Sequence, residues 1–172
     1  HDDDGRKWLV NMIWDYRKGK NKFAGIALQE YSPEQKRLVG PIRNIFRGTP
    51  LGLTEGPHLY KRDGWYYLVT AEGGTRFNHA VTVARSRSLF GPYEVDPENP
   101  VLTAKDNPGL ELQRAGHASL VGTQTGEWYF AFLCGRPLRP SQRCVLGRET
   151  ALIPVEWTED GWLRPAGGRH PK

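Results

Sequence analysis

The sequence predicts an all-β fold, a β-propeller of which this chain supplies roughly three blades. Three observations carry that expectation. First, a Gly turn followed by Trp and an apolar strand occurs three times. The copies are Asp4-Gly5-Arg6-Lys7-Trp8-Leu9-Val10, Asp63-Gly64-Trp65-Tyr66-Tyr67-Leu68-Val69 and Thr125-Gly126-Glu127-Trp128-Tyr129-Phe130-Ala131, with the tryptophans 57 and 63 residues apart. Second, a further strand segment follows each tryptophan at a constant offset of 18, centred on Ile26, Val83 and Leu146. A repeat of about 60 residues made of antiparallel strands is the pattern of a propeller blade. A sandwich of three similar hairpins would give no reason for such regular spacing. Third, 20 Gly and 13 Pro in 172 residues suit short strands and many turns better than long helices.

Taken in order, the elements are these. His1-Asp2-Asp3-Asp4-Gly5 reads as a β-turn feeding the strand that holds Leu9-Val10-Asn11-Met12. The basic run Arg17-Lys18-Gly19-Lys20-Asn21-Lys22 is a hairpin loop leading to the strand Ala24-Gly25-Ile26-Ala27-Leu28. Residues 32–36 suggest a short turn, and no segment has a convincing amphipathic helix period. Thr54-Glu55-Gly56-Pro57-His58 should be extended or turning, because Pro57 biases Gly56 away from helix. Trp65 to Thr70 and Val81 to Arg85 are strands, and Phe90-Gly91-Pro92-Tyr93 is an exit similar to Tyr31-Ser32-Pro33. Leu146-Gly147-Arg148-Glu149-Thr150 is placed inside a strand, and the Gly- and Pro-rich segment 164–172 reads as a connection leading outward. Residues 1–172 form one domain with no linker inside it. A start in mid-hairpin and only three units, too few to close a ring, point to a fragment of a larger propeller whose N-terminal blades are absent.

Composition narrows the function. The net charge is +5, but apart from the 17–22 loop the cations are interleaved with acids and no nucleic-acid motif is present. No apolar run approaches the roughly 18 residues a membrane span needs. Cys134 and Cys144 lie ten apart without a CxxC, which favours two buried free thiols in a reducing compartment over a disulfide. No zinc-ligand spacing occurs. The unpaired blade edges of such a fragment would favour aggregation.

Four segments could converge on a propeller axis: Thr54 to His58, Ala71-Glu72-Gly73-Gly74-Thr75, Arg114-Ala115-Gly116-His117-Ala118-Ser119-Leu120, and Leu146 to Thr150. Glu55, set between turn formers in an aromatic neighbourhood, is placed like a general acid or like an ordinary loop carboxylate. Arg148 in an apolar strand, if buried, needs a partner, either a structural carboxylate near Glu149 or a substrate hydroxyl. His117 reads as a core histidine or a ligand, and Trp14 as core or as a platform for the C–H face of a sugar.

The ordered set of Leu9-Val10-Asn11-Met12, Thr54-Glu55-Gly56-Pro57-His58-Leu59-Tyr60, Ala71-Glu72-Gly73-Gly74-Thr75, Ala84-Arg85-Ser86, Gly91-Pro92-Tyr93, Gly116-His117-Ala118-Ser119-Leu120, Gly135-Arg136-Pro137-Leu138 and Leu146-Gly147-Arg148-Glu149-Thr150 resembles glycoside hydrolase family 43, in its bacterial β-xylosidase branch. The resemblance covers nearly the whole chain. It implies a five-bladed β-propeller and inverting removal of terminal xylose from β-1,4-xylooligosaccharides. An α-L-arabinofuranosidase on the same scaffold is the nearest alternative, and a non-catalytic carbohydrate-binding propeller is the alternative of another class. The resemblance makes Glu55 the general acid, Arg148 a ligand of the terminal sugar and Trp14 part of the pocket lining. It sets His117 near the axis, where a Ca2+ ion would be reached through water; no cofactor is required. The general base and the tuning aspartate fall upstream of this chain, and Asp2, Asp3 and Asp4 align outside the pocket, so the fragment alone should be inactive. The partner is an oligosaccharide, not nucleic acid or membrane, with homo-oligomerisation of the parent allowed and a cytoplasmic location expected.

Overall fold

A computed structural model describes residues 1–171. Among them are twelve strands and no helix. Strands β1 (Lys7–Trp14), β2 (Phe23–Ser32) and β3 (Arg37–Phe46) form one antiparallel sheet. Strands β4 (Glu55–Arg62), β5 (Trp65–Glu72), β6 (Ala80–Ser86) and β7 (Glu94–Val95) form the second, with β8 (Leu102–Thr103) also pairing β6. Strands β9 (Gln113–Gly122), β10 (Trp128–Gly135), β11 (Glu149–Trp157) and β12 (Leu163–Pro165) form the third.

The repeated Gly-Trp signal marks the same place in each sheet. Asp63 and Gly64 both have positive φ, 49° and 73°, and close a two-residue hairpin in which Arg62 faces Trp65. That double left-handed turn matches the twist of the flanking strands, which is why Asp-Gly serves there. The Trp-bearing strand then pairs with the next one, Met12 opposite Ile26, Val69 opposite Val83 and Phe130 opposite Ile153. In the second and third sheets a further strand, β4 or β9, flanks the Trp-bearing strand. In the first sheet, among the described residues, β1 is itself the edge.

The third repeat departs from the expected offset. Val145 and Leu146 lie in an exposed turn, 66% and 73% accessible, and the strand begins only at Glu149. The β10–β11 connection, residues 136–148, therefore makes a wider excursion than the β5–β6 connection, and apolar spelling alone did not make Val145-Leu146 a strand.

Two apolar clusters hold the sheets together. Between the second and third lie Tyr67, Val69, Val81, Val83, Leu120, Phe130, Phe132 and Val155; between the first and second lie Ile26, Leu28, Ile45, Leu68 and Leu89. Strand β5 serves both. Tyr67 and Val69 point to one side and Leu68 to the other, so a period of two places these side chains in both clusters. Each such fully buried aliphatic or aromatic side chain contributes roughly 1.5–3 kcal/mol. Inside this layer the Thr70 and Thr82 hydroxyls bond each other at 2.7 Å, so each satisfies the other.

Two further expectations are corrected. From Arg164 to His170 the C-terminal segment packs back onto the body: Arg164 clasps the buried Asp96 at 2.5 and 3.0 Å, and Arg169 O and His170 Nδ1 bond the backbone of Thr103 at 2.9 and 3.0 Å. These bonds fold the segment back onto β8, because Asp96 needs a cation once it is buried. Both cysteines are free, but only Cys134 is buried; Cys144, in the wide connection, is half-buried.

Candidate active site

Glu55 opens β4, with its Cα opposite Ala71 of β5. The register then shifts, since three residues on β4 from Glu55 to His58 span two on β5 from Ala71 to Val69. The extra residue makes a bulge at Gly56-Pro57. Gly56 takes φ +55°, and Pro57, which has no N–H to give the ladder, sits where the ladder is interrupted. The bulge bends the strand at the residue after Glu55 and fixes the direction in which Glu55 leaves the sheet. Its carboxylate is half-buried and makes no hydrogen bond or ion pair among the described residues.

Strand β9 carries two bulges of its own. Ala131 faces Ser119, Leu133 faces Gly116 and Gly135 faces Gln113, so β9 gains a residue at each step. The additional residues are His117 and Arg114, and both are left-handed, at φ 53° and 56°. Non-glycine residues held there cost of order 1–3 kcal/mol each, and such strain gathers at functional sites. Strands β4 and β9 meet across the gap between blades. Ser119 Oγ lies 3.3 Å from His58 Nε2, and the Leu120 N–H donates to the Tyr60 hydroxyl at 2.7 Å. The His117 ring lies over Gly56, so close that a Cβ there would stand 2.5 Å from Nε2.

A second imidazole lies behind the first. His79, 1% exposed, donates from Nδ1 to the Arg114 carbonyl at 3.0 Å, and the site of a Cβ on Gly116 is 2.5 Å from its ring. Because the acceptor is a carbonyl, the proton is on Nδ1, and Nε2 is a bare lone pair with no partner among the described residues. Burial lowers the His79 pKa to about 4, with the nearby positive charges of Arg148 and His117 acting in the same direction. Burial and His117 also lower that of His58.

His79 gives a prediction for stability. In the unfolded chain it takes up a proton below about pH 6.5, but the folded form resists until about 4. Stability is full above pH 6.5 and falls as pH drops towards 4, by up to about 3 kcal/mol. Urea unfolding across pH 4–7 should show this slope in the full-length protein and lose it in His79→Asn, which keeps a donor for the Arg114 carbonyl. An unchanged slope in the variant would assign the acid sensitivity elsewhere.

Arg148 corrects the sequence expectation. It stands before β11 in the wide connection, is exposed, and makes no ion pair among the described residues. The neighbouring Glu149 is taken by Arg136 at 3.0 Å. Trp14 ends β1 at 37% exposure, packed edge-on against Phe23 and Tyr16 with the Lys22 ammonium over its ring. The structure thus brings the Glu55 end of β4 against His117 of β9 through the contact between Gly56 and the His117 ring; Arg148 stands in the β10–β11 connection, and Trp14 is set by its own hairpin. Asp2 is engaged elsewhere: Lys61 donates to it at 2.6 Å and Tyr66 at 2.8 Å. Burial opposes its charge, but these bonds outweigh it and lower its pKa. Among the described residues no three His, Cys, Asp or Glu side chains converge as a metal-ligand set.

A sequence-family model described as Glycosyl hydrolases family 43 matches residues 1–163. The chain belongs to glycoside hydrolase family 43. Solved structures of the family are five-bladed β-propellers, so the three sheets described above are three of its blades. The chain is 57% identical over 171 residues to a Humicola insolens protein named xylosidase/arabinosidase 43B, covering 99% of this chain and 32% of that one. It is 51% identical to a Bacillus subtilis β-xylosidase, covering 98% and 33%. A crystal structure of a xylan β-1,4-xylosidase from Bacillus halodurans C-125 superposes with a TM-score of 0.97 at 65% identity, covering all of this chain and 33% of that one. The chain thus spans about a third of the length of these family 43 relatives.

Sequence reasoning missed His79 as part of this cluster and assigned Glu72 no role. For Glu72 a signal existed: a carboxylate ending the apolar run Trp65 to Ala71 must find donors. For His79, in Phe77-Asn78-His79-Ala80, no local pattern announced burial against β9.

Proposed function

We propose that this chain supplies the acid-bearing part of an exo-acting, inverting β-xylosidase that removes terminal xylose from β-1,4-xylooligosaccharides. The observation that carries the reading is Glu55. It is a half-buried carboxylate free of ion pairs among the described residues, aimed by a Gly-Pro bulge and backed by the His117 imidazole on the adjoining blade. Glu55 protonates the glycosidic oxygen as the bond to the leaving sugar breaks. A base on the opposite face of the ring activates water, and inverting enzymes keep the two carboxyl groups roughly 6.5–9.5 Å apart to admit it. The base and the carboxylate that tunes the acid come from residues outside this chain. Arg148, exposed and without an ion pair among the described residues, offers guanidinium donors to the hydroxyls of the terminal sugar. Trp14 offers an apolar face to the sugar C–H surface. A second reading, α-L-arabinofuranosidase or dual activity, is favoured by the double name of the Humicola insolens relative.

The test is turnover by the full-length protein of xylobiose, a nitrophenyl β-xyloside and a nitrophenyl α-L-arabinofuranoside, with the anomer released followed by NMR. Xylobiose cleaved to α-xylose supports the reading, and the ratio of the two aryl rates decides between the sugars. Cleavage of none would leave a carbohydrate-binding propeller as the better account. In the same assay Arg148→Ala should lower kcat/KM about 10–100-fold, the worth of a hydrogen bond from a charged donor, with partial recovery in Arg148→Lys. A change within twofold would remove Arg148 from the sugar subsite.

A further inference from the structure

Glu72 is the last residue of β5 and is fully buried, yet no cation pairs with it among the described residues. Its carboxylate is satisfied instead by three donors. The Thr49 N–H reaches Oε1 at 2.9 Å, the Thr54 hydroxyl reaches the same oxygen at 2.7 Å, and the Thr49 hydroxyl bonds Oε2. All three belong to residues 47–54, the connection from β3 to β4, and the next residue is Glu55. A fourth bond, from the Gly73 N–H to the Gly52 carbonyl at 2.9 Å, ties the same connection to the residue after Glu72.

The connection could not hold this path unaided. Gly52 and Leu53 are consecutive left-handed residues, at φ 70° and 58°, and the second has a side chain for which that region is costly. The packing leaves no slack either: a Cβ on Gly48 would stand 1.9 Å from Thr54 Oγ1 and 3.0 Å from Glu72 Oε1. A carboxylate is suited to this duty because its bonds to neutral donors are charge-assisted and short. Left without them, it would be a buried charge with nothing to offset its desolvation.

We infer that Glu72 is a positioning residue for the general acid: through Thr49 and Thr54 it clamps the segment that delivers Glu55, and so sets where the Glu55 carboxyl meets the glycosidic oxygen. This rests on the reading of Glu55 as the acid. Proton transfer demands hydrogen-bond geometry at the leaving oxygen, and a displacement of about 1 Å can cost on the order of 10²-fold. The clamp therefore acts on kcat where protonation limits the rate and leaves sugar binding alone.

The experiment compares full-length wild type, Glu55→Gln, Glu72→Asp and Thr54→Val on xylobiose and on a nitrophenyl β-xyloside, with thermal unfolding alongside. Glu72→Asp shortens the reach by one methylene. Thr54→Val removes a single donor and is the variant least threatening to folding. Both are expected to lower kcat on xylobiose by about tenfold or more, and on the aryl xyloside by less than about threefold, with KM little changed. Equal losses on the two substrates, or a fall in unfolding temperature with kcat intact, would make Glu72 a structural carboxylate and overturn the inference. If Glu55→Gln itself loses both substrates equally, Glu55 is not the acid, and the role of Glu72 falls with that reading.

Discussion

Glu55→Ala in the full-length protein is expected to lower kcat on xylobiose by roughly 10³-fold while sparing much of the activity on a nitrophenyl β-xyloside. The difference follows from the leaving group. A sugar alkoxide cannot depart without a proton, so its expulsion carries the whole contribution of the general acid, typically 10²–10⁴-fold. Nitrophenolate departs nearly unaided, so its release tolerates loss of the acid. A loosened fold would not produce such a split, because it would slow both substrates. Glu55 holds no ion pair and no side-chain hydrogen bond among the described residues, so its removal breaks none there and should leave the unfolding temperature within a few degrees of wild type. Equal loss on both substrates would point to a damaged site rather than a missing proton donor. Full activity on xylobiose would remove Glu55 from the mechanism.

Gly56→Ala should be nearly as damaging, through the backbone rather than through chemistry. Two independent obstacles meet at this position. The φ of +55° costs an L-residue about 1–2 kcal/mol. The added Cβ would also stand 2.5 Å from His117 Nε2 and 2.6 Å from Cε1. Something must move: the imidazole turns aside, or the bulge flattens and carries Glu55 with it. Together these should destabilise the protein by roughly 2–4 kcal/mol and lower kcat on xylobiose on the order of 10²-fold. A double-mutant cycle with His117→Ala separates the two. Removing the ring should recover the steric part and leave the backbone part, giving a coupling of about 1–2 kcal/mol in stability. Strict additivity would mean that His117 does not press on Gly56, and the interblade contact drawn here would be wrong.

Much of the fold could be read locally. The Asp-Gly turn before Trp65, the apolar runs after each tryptophan, and the extended Glu55-Gly56-Pro57 segment are properties of neighbouring residues. Turn chemistry and a period of two encode them without reference to the rest of the molecule. The third repeat shows the limit. Val145 and Leu146 have strand composition but lie exposed in a turn, because a strand also needs a partner in register, and β10 finds its partner only from Glu149 onward. Arg148 is therefore a connection residue and not the strand residue expected.

The sequence by itself determined the all-β class, the blade repeat and the membership of family 43, since each is carried by short motifs in order. Only the tertiary structure decided that the His117 ring rests on Gly56, that buried His79 lies behind it, and that Glu72 grips the connection leading to Glu55. The residues concerned come together because bulges at Gly56, Arg114 and His117 turn two blades towards each other. Contacts of that kind depend on the packing of one sheet against the next. A glycine that a left-handed φ and a neighbouring ring both require looks, in the chain, like any other glycine.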